Sequence, residues 1–172
     1  KAPFPGTRGK SMALVRALYT KAREYKAKVS AAGSDASKLP DRDLGMEALV
    51  EALDGKRIVH HHTHRADDIL SVLRLGQEFG LRIVLHHVSA AHKVAAEIAA
   101  ADVPCSIIVV DSPGGKLEAA DVSIENGAAL EKAGARVGFH TDDGIVDSRF
   151  FRREAGLSIR AGLSREKAIE GL

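Results

Sequence analysis

Cysteine is nearly missing: Cys105 stands alone among 172 residues, so no internal disulfide framework can hold this chain together. That scarcity suits a reducing compartment and favours the cytoplasm. Also missing is any apolar stretch approaching the roughly 20 residues of a membrane span, and the N-terminus lacks the basic-then-apolar layout of a signal peptide. The chain begins with Lys1 rather than Met, so a missing targeting segment says little about where a parent protein resides. Nor does one sign of charge dominate. The 25 basic residues are interspersed with 23 acidic ones, for a formal net charge of +2, which argues for neither nucleic acid nor a membrane as partner. What is present is ordinary for a folded protein: 45% hydrophobic and 28% charged residues, over a length that suits one domain with a real core. A single domain over residues 1–172 is the expectation.

Along the chain, KAPFPGTRGK reads as an irregular loop. The next stretch carries Met12, Val15, Leu18, Tyr19, Ala22 and Tyr25 at helical spacing, with Ser11 placed to cap the first turn. LGMEALVEALDG reads as a short helix closed by Gly55. From residue 56 onward the pattern alternates. RIVHHH, LRIVLHH, PCSIIVVD and ARVGFHTD read as strands. ADDILSVLRLGQEF (with Asp67 near its N-cap), AAHKVAAEIAA, IENGAALEKAG, SRFFRREAGLSIRAG and SREKAIEGL read as helices. Short β-rich apolar runs alternating with helices imply right-handed βαβ units and a buried parallel sheet. The chain is thus expected to be α/β: irregular and helical over 1–55, then four parallel βα units over 56–172.

On that scaffold His62 and His87 fall at the ends of the first and second strands, one βα repeat apart, and Asp142 falls at the end of the fourth. Such spacing brings distant residues to one rim of a parallel sheet, where α/β folds place their chemistry. Two imidazoles and a carboxylate can hold zinc or a similar divalent ion. Taken singly, each has a plainer reading as a hydrogen-bonded strand-end residue, and it is the repeated position that favours a metal. His60 and His64 share the strand face of His62, and His61 points the other way. His64 can orient a substrate or support a neighbouring ligand, and His140 can line the same pocket or sit in the strand core. Arg65 can bind a substrate carboxylate or pair with Asp67 or Asp68. Asp143 reads as a structural hydrogen-bonding residue, Glu125 and Asn126 as helix residues, and DSPGG at 111–115 as a loop without the spacing of a phosphate cradle.

In order and spacing, HHHTHRADDI, IVLHHVSAAHKVA and VGFHTDDG resemble the second half of the metal-dependent amidohydrolase superfamily, most closely its imidazolonepropionase-like and prolidase-like branch. The resemblance covers almost the whole chain. It implies a (β/α)8 TIM-type barrel, with metal ligands at His62, His87 and Asp142 and Asp142 also moving the proton during hydrolysis of a small amide-type substrate. His64, Arg65 and His140 become candidate substrate-binding residues. The sequence also departs from that pattern. The family's first strand ends in a His-x-His pair, yet no histidine precedes His60; the bridging Lys or Glu of the fourth strand has no convincing counterpart in Lys1 or Lys10; and His86 stands where many relatives carry Glu. A full barrel takes about 200 residues or more. The expectation is therefore the C-terminal half of such a barrel, prone to self-association or completed by its missing N-terminal half. The competing reading is a catalytically incompetent module that binds metal or only oligomerises.

Overall fold

A computed structural model describes residues 4–110 and 116–172; the DSPGG loop and Lys1 lie outside the described residues. Its contacts divide the chain into two compact units. The first comprises Lys1–Val59 with Leu75–Arg82, and the second His60–Arg74 with Ile83–Leu172.

The first unit is built on helix α1, Arg8–Ala32, and helix α2, Leu44–Leu53. Thr7 caps α1 by accepting the Lys10 N–H, so the cap lies four residues before the expected Ser11, whose hydroxyl instead donates to the Thr7 carbonyl. Asp43 caps α2 through the Met46 N–H. Gly55 follows α2 at φ 70°, the left-handed conformation that glycine enters without a Cβ penalty. Met12, Val15 and Tyr19 lie one helical turn apart on α1 and pack in a core with Leu49, Ala52, Leu75 and Phe79. Leu18 lies off that stripe and is exposed. The Tyr19 and Phe79 rings are 5.2 Å apart, and the Arg23 guanidinium lies 4.3 Å above Phe79.

The sheet contains β1 (Ile58–Thr63), β2 (Arg82–His87), β3 (Cys105–Ile107) and β4 (Val137–Phe139). The strands are parallel and lie in the order β1-β2-β3-β4, each chain-order neighbour beside the last, as in part of a (β/α)8 barrel. His86 pairs with Ser106, and Ser106 in turn with Gly138. The intervening helices are α3 (Ala66–Phe79), α4 (Ala95–Ala100) and α5 (Asn126–Ala133), and α6 (Phe151–Arg160) and α7 (Arg165–Glu170) follow β4. In the second unit Ile69, Val72, Ile83, Leu85, Ile98, Ile107, Leu130 and Leu163 are buried, which follows from their alternation in strands and their turn spacing in helices.

Several elements are shorter than their sequence pattern predicts. AAHKVAAEIAA splits into a 3-10 turn at Ala91–Lys93 and then α4. The apolar run PCSIIVVD yields only three strand residues because the N–H groups of Val109 and Val110 donate to the fully buried Glu154 carboxylate, at 2.7 and 3.3 Å. ARVGFHTD likewise leaves the ladder after Phe139. On its far side, the Phe139 N–H donates to the Gly171 carbonyl at 3.1 Å, where a Cβ on Gly171 would meet the Val137 carbonyl at 2.8 Å. No helix among the described residues is long and apolar enough to cross a membrane.

Candidate metal centre

Strand alternation sets the first part of the site. In β1 the side chains of His60 and His62 are exposed on one face, and His61, half-buried on the other, directs Nδ1 to the His62 carbonyl. Pairing continues beyond the strand ends, where the Val88 N–H donates to the Thr63 carbonyl and the Ala90 N–H to the His64 carbonyl, at 2.8 and 2.9 Å. This fixes His64 and Ser89 side by side.

Alternation alone would send His86 and His87 to opposite faces. The backbone prevents it. His87 has φ 68° and Val88 φ 40°, and the Val88 N–H turns back to the His86 carbonyl at 2.9 Å, which makes a γ-turn centred on His87. Positive φ in two successive non-glycine residues, one of them β-branched, stores backbone strain on the order of 1–3 kcal/mol per residue. Burial of Val88 and the side chain of Asn126 hold it there. Asn126, the first residue of α5, donates to the Ser89 carbonyl at 2.9 Å and accepts from the His92 N–H at 3.0 Å. As a result both His86 and His87 face His140, with ring centroids 5.1 and 4.7 Å away.

The outcome is a group of three imidazoles, His62, His64 and His87, whose ligand nitrogens all lie within 4.8 Å of one another. His64 and His87 are buried and His62 is exposed. His64 Nδ1 lies 2.8 Å from Ser89 Oγ. His87 Nδ1 lies 3.3 Å from His140 Nε2, whose other nitrogen is 2.9 Å from Ser106 Oγ. His60 Nδ1 and His86 Nε2 form a second imidazole pair at 2.8 Å. Burial, reinforced by neighbouring positive groups, lowers the imidazole pKa values: to about 3 for His87 and to about 4 for His64 and His140. Near neutral pH these rings are therefore uncharged and keep the lone pairs that a metal needs.

Asp142 has φ 51°, a conformation aspartate tolerates, in a turn closed by the Ile145 N–H on its carbonyl at 2.8 Å. It lines a small recess of about 40 Å³ with His64, His87, Ser89, Lys116 and the apolar Ile108, Val122 and Ile145. The carboxylate thus borders the imidazoles without belonging to the 4.8 Å group. Arg65 does not line this recess; its guanidinium forks onto Asp67 at 2.9 and 3.0 Å. Asp143 accepts the Ser148 N–H at 3.4 Å, the structural bond expected of it. Four contributors were not evident from sequence: Ser89, Asn126, and Lys116 with Glu118. Lys116 Nζ donates to the Nε2 atoms of His62 and His64, both at 3.1 Å, and pairs with Glu118 at 3.0 Å. No motif marks any of the four, since each acts through a loop or helix start that only the fold brings to the rim.

No protein-family model matches the sequence, and no curated protein does. Among solved structures, an amidohydrolase from Thermotoga maritima MSB8 superposes with a TM-score of 0.90 at 29% sequence identity. The match covers 98% of this chain and 44% of that one. Over nearly its whole length, then, the chain is similar in fold to an amidohydrolase of which it spans less than half.

Proposed function

We propose that this chain is the C-terminal half of a metal-dependent amidohydrolase barrel of the imidazolonepropionase-like and prolidase-like branch, which cleaves C–N bonds in small amide or cyclic amide substrates. The observation that carries the reading is the convergence of His62, His64 and His87 beside the Asp142 recess. The donor set fits a divalent ion, zinc above all: burial keeps the His64 and His87 rings neutral, and Ser89 and His140 hold their second nitrogens. When bound, the ion supplies Lewis-acid polarisation of the substrate carbonyl and a lowered pKa for water.

The chain's own residues supply the rest. His62 and His87 would hold the ion, with Asp142, which borders the imidazoles in the recess, as the third residue of the set. Asp142 accepts a proton from the attacking water and returns it to the leaving nitrogen, a role that requires a carboxylate within reach of both. His64 completes the ligand set or directs the substrate carbonyl, and His140 fixes the ring of His87. Ile108, Val122 and Ile145 give the recess an apolar wall. The other half of the barrel comes from a longer parent chain or from an associated chain.

Zinc content and hydrolysis of amide substrates test this, measured with and without a separately produced N-terminal half. His62→Ala and His87→Ala should each lower zinc affinity by about 10- to 100-fold or more, whereas His61→Ala should leave it unchanged. Equal binding by all three variants would identify a nonspecific histidine cluster. A catalytically incompetent metal-binding module is the second reading. Zinc binding with no hydrolysis after complementation would select it.

A further inference from the structure

One side chain enters the nitrogen set from outside the sheet. Lys116 Nζ lies 3.1 Å from His62 Nε2, 3.1 Å from His64 Nε2 and 3.0 Å from Glu118 Oε1. An ammonium has three N–H donors and no lone pair, so these three contacts use all of its donors. Each imidazole must then present an unprotonated Nε2. For His64 this sends the ring proton to Nδ1, where Ser89 Oγ accepts it at 2.8 Å. That tautomer is the one needed for metal ligation through Nε2, with the opposite nitrogen donating to a supporting group. The ammonium thus occupies the same Nε2 lone pairs that His62 and His64 would offer to a divalent ion.

We infer that Lys116 is a built-in stand-in for the metal: in the metal-free chain its ammonium fills the space between His62 and His64, holds both rings in the metal-accepting tautomer, and is displaced when a divalent ion binds. This inference rests on the metal-site reading above. A lone pair serves one cation at a time, and a divalent ion repels an ammonium at contact distance, so the two occupants exclude each other. The surroundings allow the exchange. The Lys116 side chain is 44% exposed, and Glu118, 32% exposed, can keep its ion pair with the ammonium as it swings out to solvent. Metal binding therefore includes the cost of breaking two charge-assisted hydrogen bonds, which tunes the affinity downward while sparing the apo site two unpaired, adjacent nitrogens.

Two readouts on the full chain test the inference. In metal-free protein, imidazole nitrogen NMR should show His62 and His64 protonated at Nδ1, and Lys116→Met should shift His62 towards a tautomer mixture. Zinc titration against a competing chelator should show Lys116→Met binding at least about tenfold more tightly than wild type, the worth of one charge-assisted hydrogen bond. Lys116→Arg, which keeps a cationic donor, should stay near wild type. Circular dichroism would verify that each variant folds. Equal zinc affinity in wild type and Lys116→Met overturns the stand-in while leaving the metal site intact, and Nε2-protonated rings in the metal-free wild type overturn it by themselves. If neither protein binds zinc, the metal-site reading fails and takes the stand-in with it.

Discussion

His64 is 5% exposed and His87 8% exposed, and both are deprived of the water that would stabilise an imidazolium. Their pKa values fall from 6.5 to about 4 and about 3, with burial the largest cause. The consequence for stability has a definite sign. Above about pH 6.5 folded and unfolded chains both carry these rings neutral, and no penalty arises. Below it the unfolded chain takes up protons that the folded chain refuses, so stability is lost as pH falls towards 4. Each group contributes a slope of up to about 1.4 kcal/mol per pH unit in that window. Urea denaturation of the metal-free chain should therefore show a midpoint that is flat from pH 8 to 7 and drops steadily from pH 6 to 5. A midpoint independent of pH across that range would contradict the burial of the rings. At this scale much of the site was legible: a run of histidines at a strand end and another one repeat later are what the sequence shows. The rotation of His87 onto the face of His86 was not, because it depends on a γ-turn that two ordinary residues, His87 and Val88, adopt only under tertiary constraint.

At the scale of elements, the position of each helix and strand followed from apolar periodicity, but where each one stops did not. β3 is the clearest case. Ile107, Ile108, Val109 and Val110 form a continuous β-branched run, and a local reading has no reason to end the strand within it. It ends because Glu154, distant in sequence and fully buried on α6, takes the N–H groups of Val109 and Val110 out of the ladder. The bond to the Val109 N–H is short, and the carboxylate has no water to turn to. Replacing Glu154 by Ala leaves the buried Val109 N–H and the half-buried Val110 N–H without their acceptor and should cost about 2–4 kcal/mol, with Glu154→Gln, which keeps a carbonyl oxygen, costing less. Chemical denaturation of the two variants checks the order; equal losses would mean that the carboxylate acts through packing alone. The α1 cap carries the same lesson in smaller form, since Thr7 and Ser11 are both competent by residue type, but Thr7 has the extended backbone of a cap and Ser11 already lies inside the helix.

At the scale of the molecule, the alternation of strands and helices was enough to give four parallel βα units, because that pattern has few other ways to bury its apolar faces. The borders of the two compact units fall inside β1, α3 and β2, so no boundary between elements marks them in the sequence. A ligand that binds only the folded chain raises its stability by mass action, by about 2.7 kcal/mol at a concentration 100 times the dissociation constant. Zinc at that excess should raise the thermal midpoint and slow hydrogen exchange at the Val88 and Ala90 amides, which bond to Thr63 and His64 next to the imidazoles. Zinc binding without slower exchange at these two positions would place the ion elsewhere. The contact between Gly171 and β4 matters at this scale too. With its carbonyl already spent on Phe139, the C-terminal tail blocks that margin of the sheet, and a newcomer strand would have to peel α7 away before it could extend the ladder there. Strand addition at this flank, including closure of the proposed barrel by its other half, therefore has a defined first step: release of the Phe139 N–H by the Gly171 carbonyl.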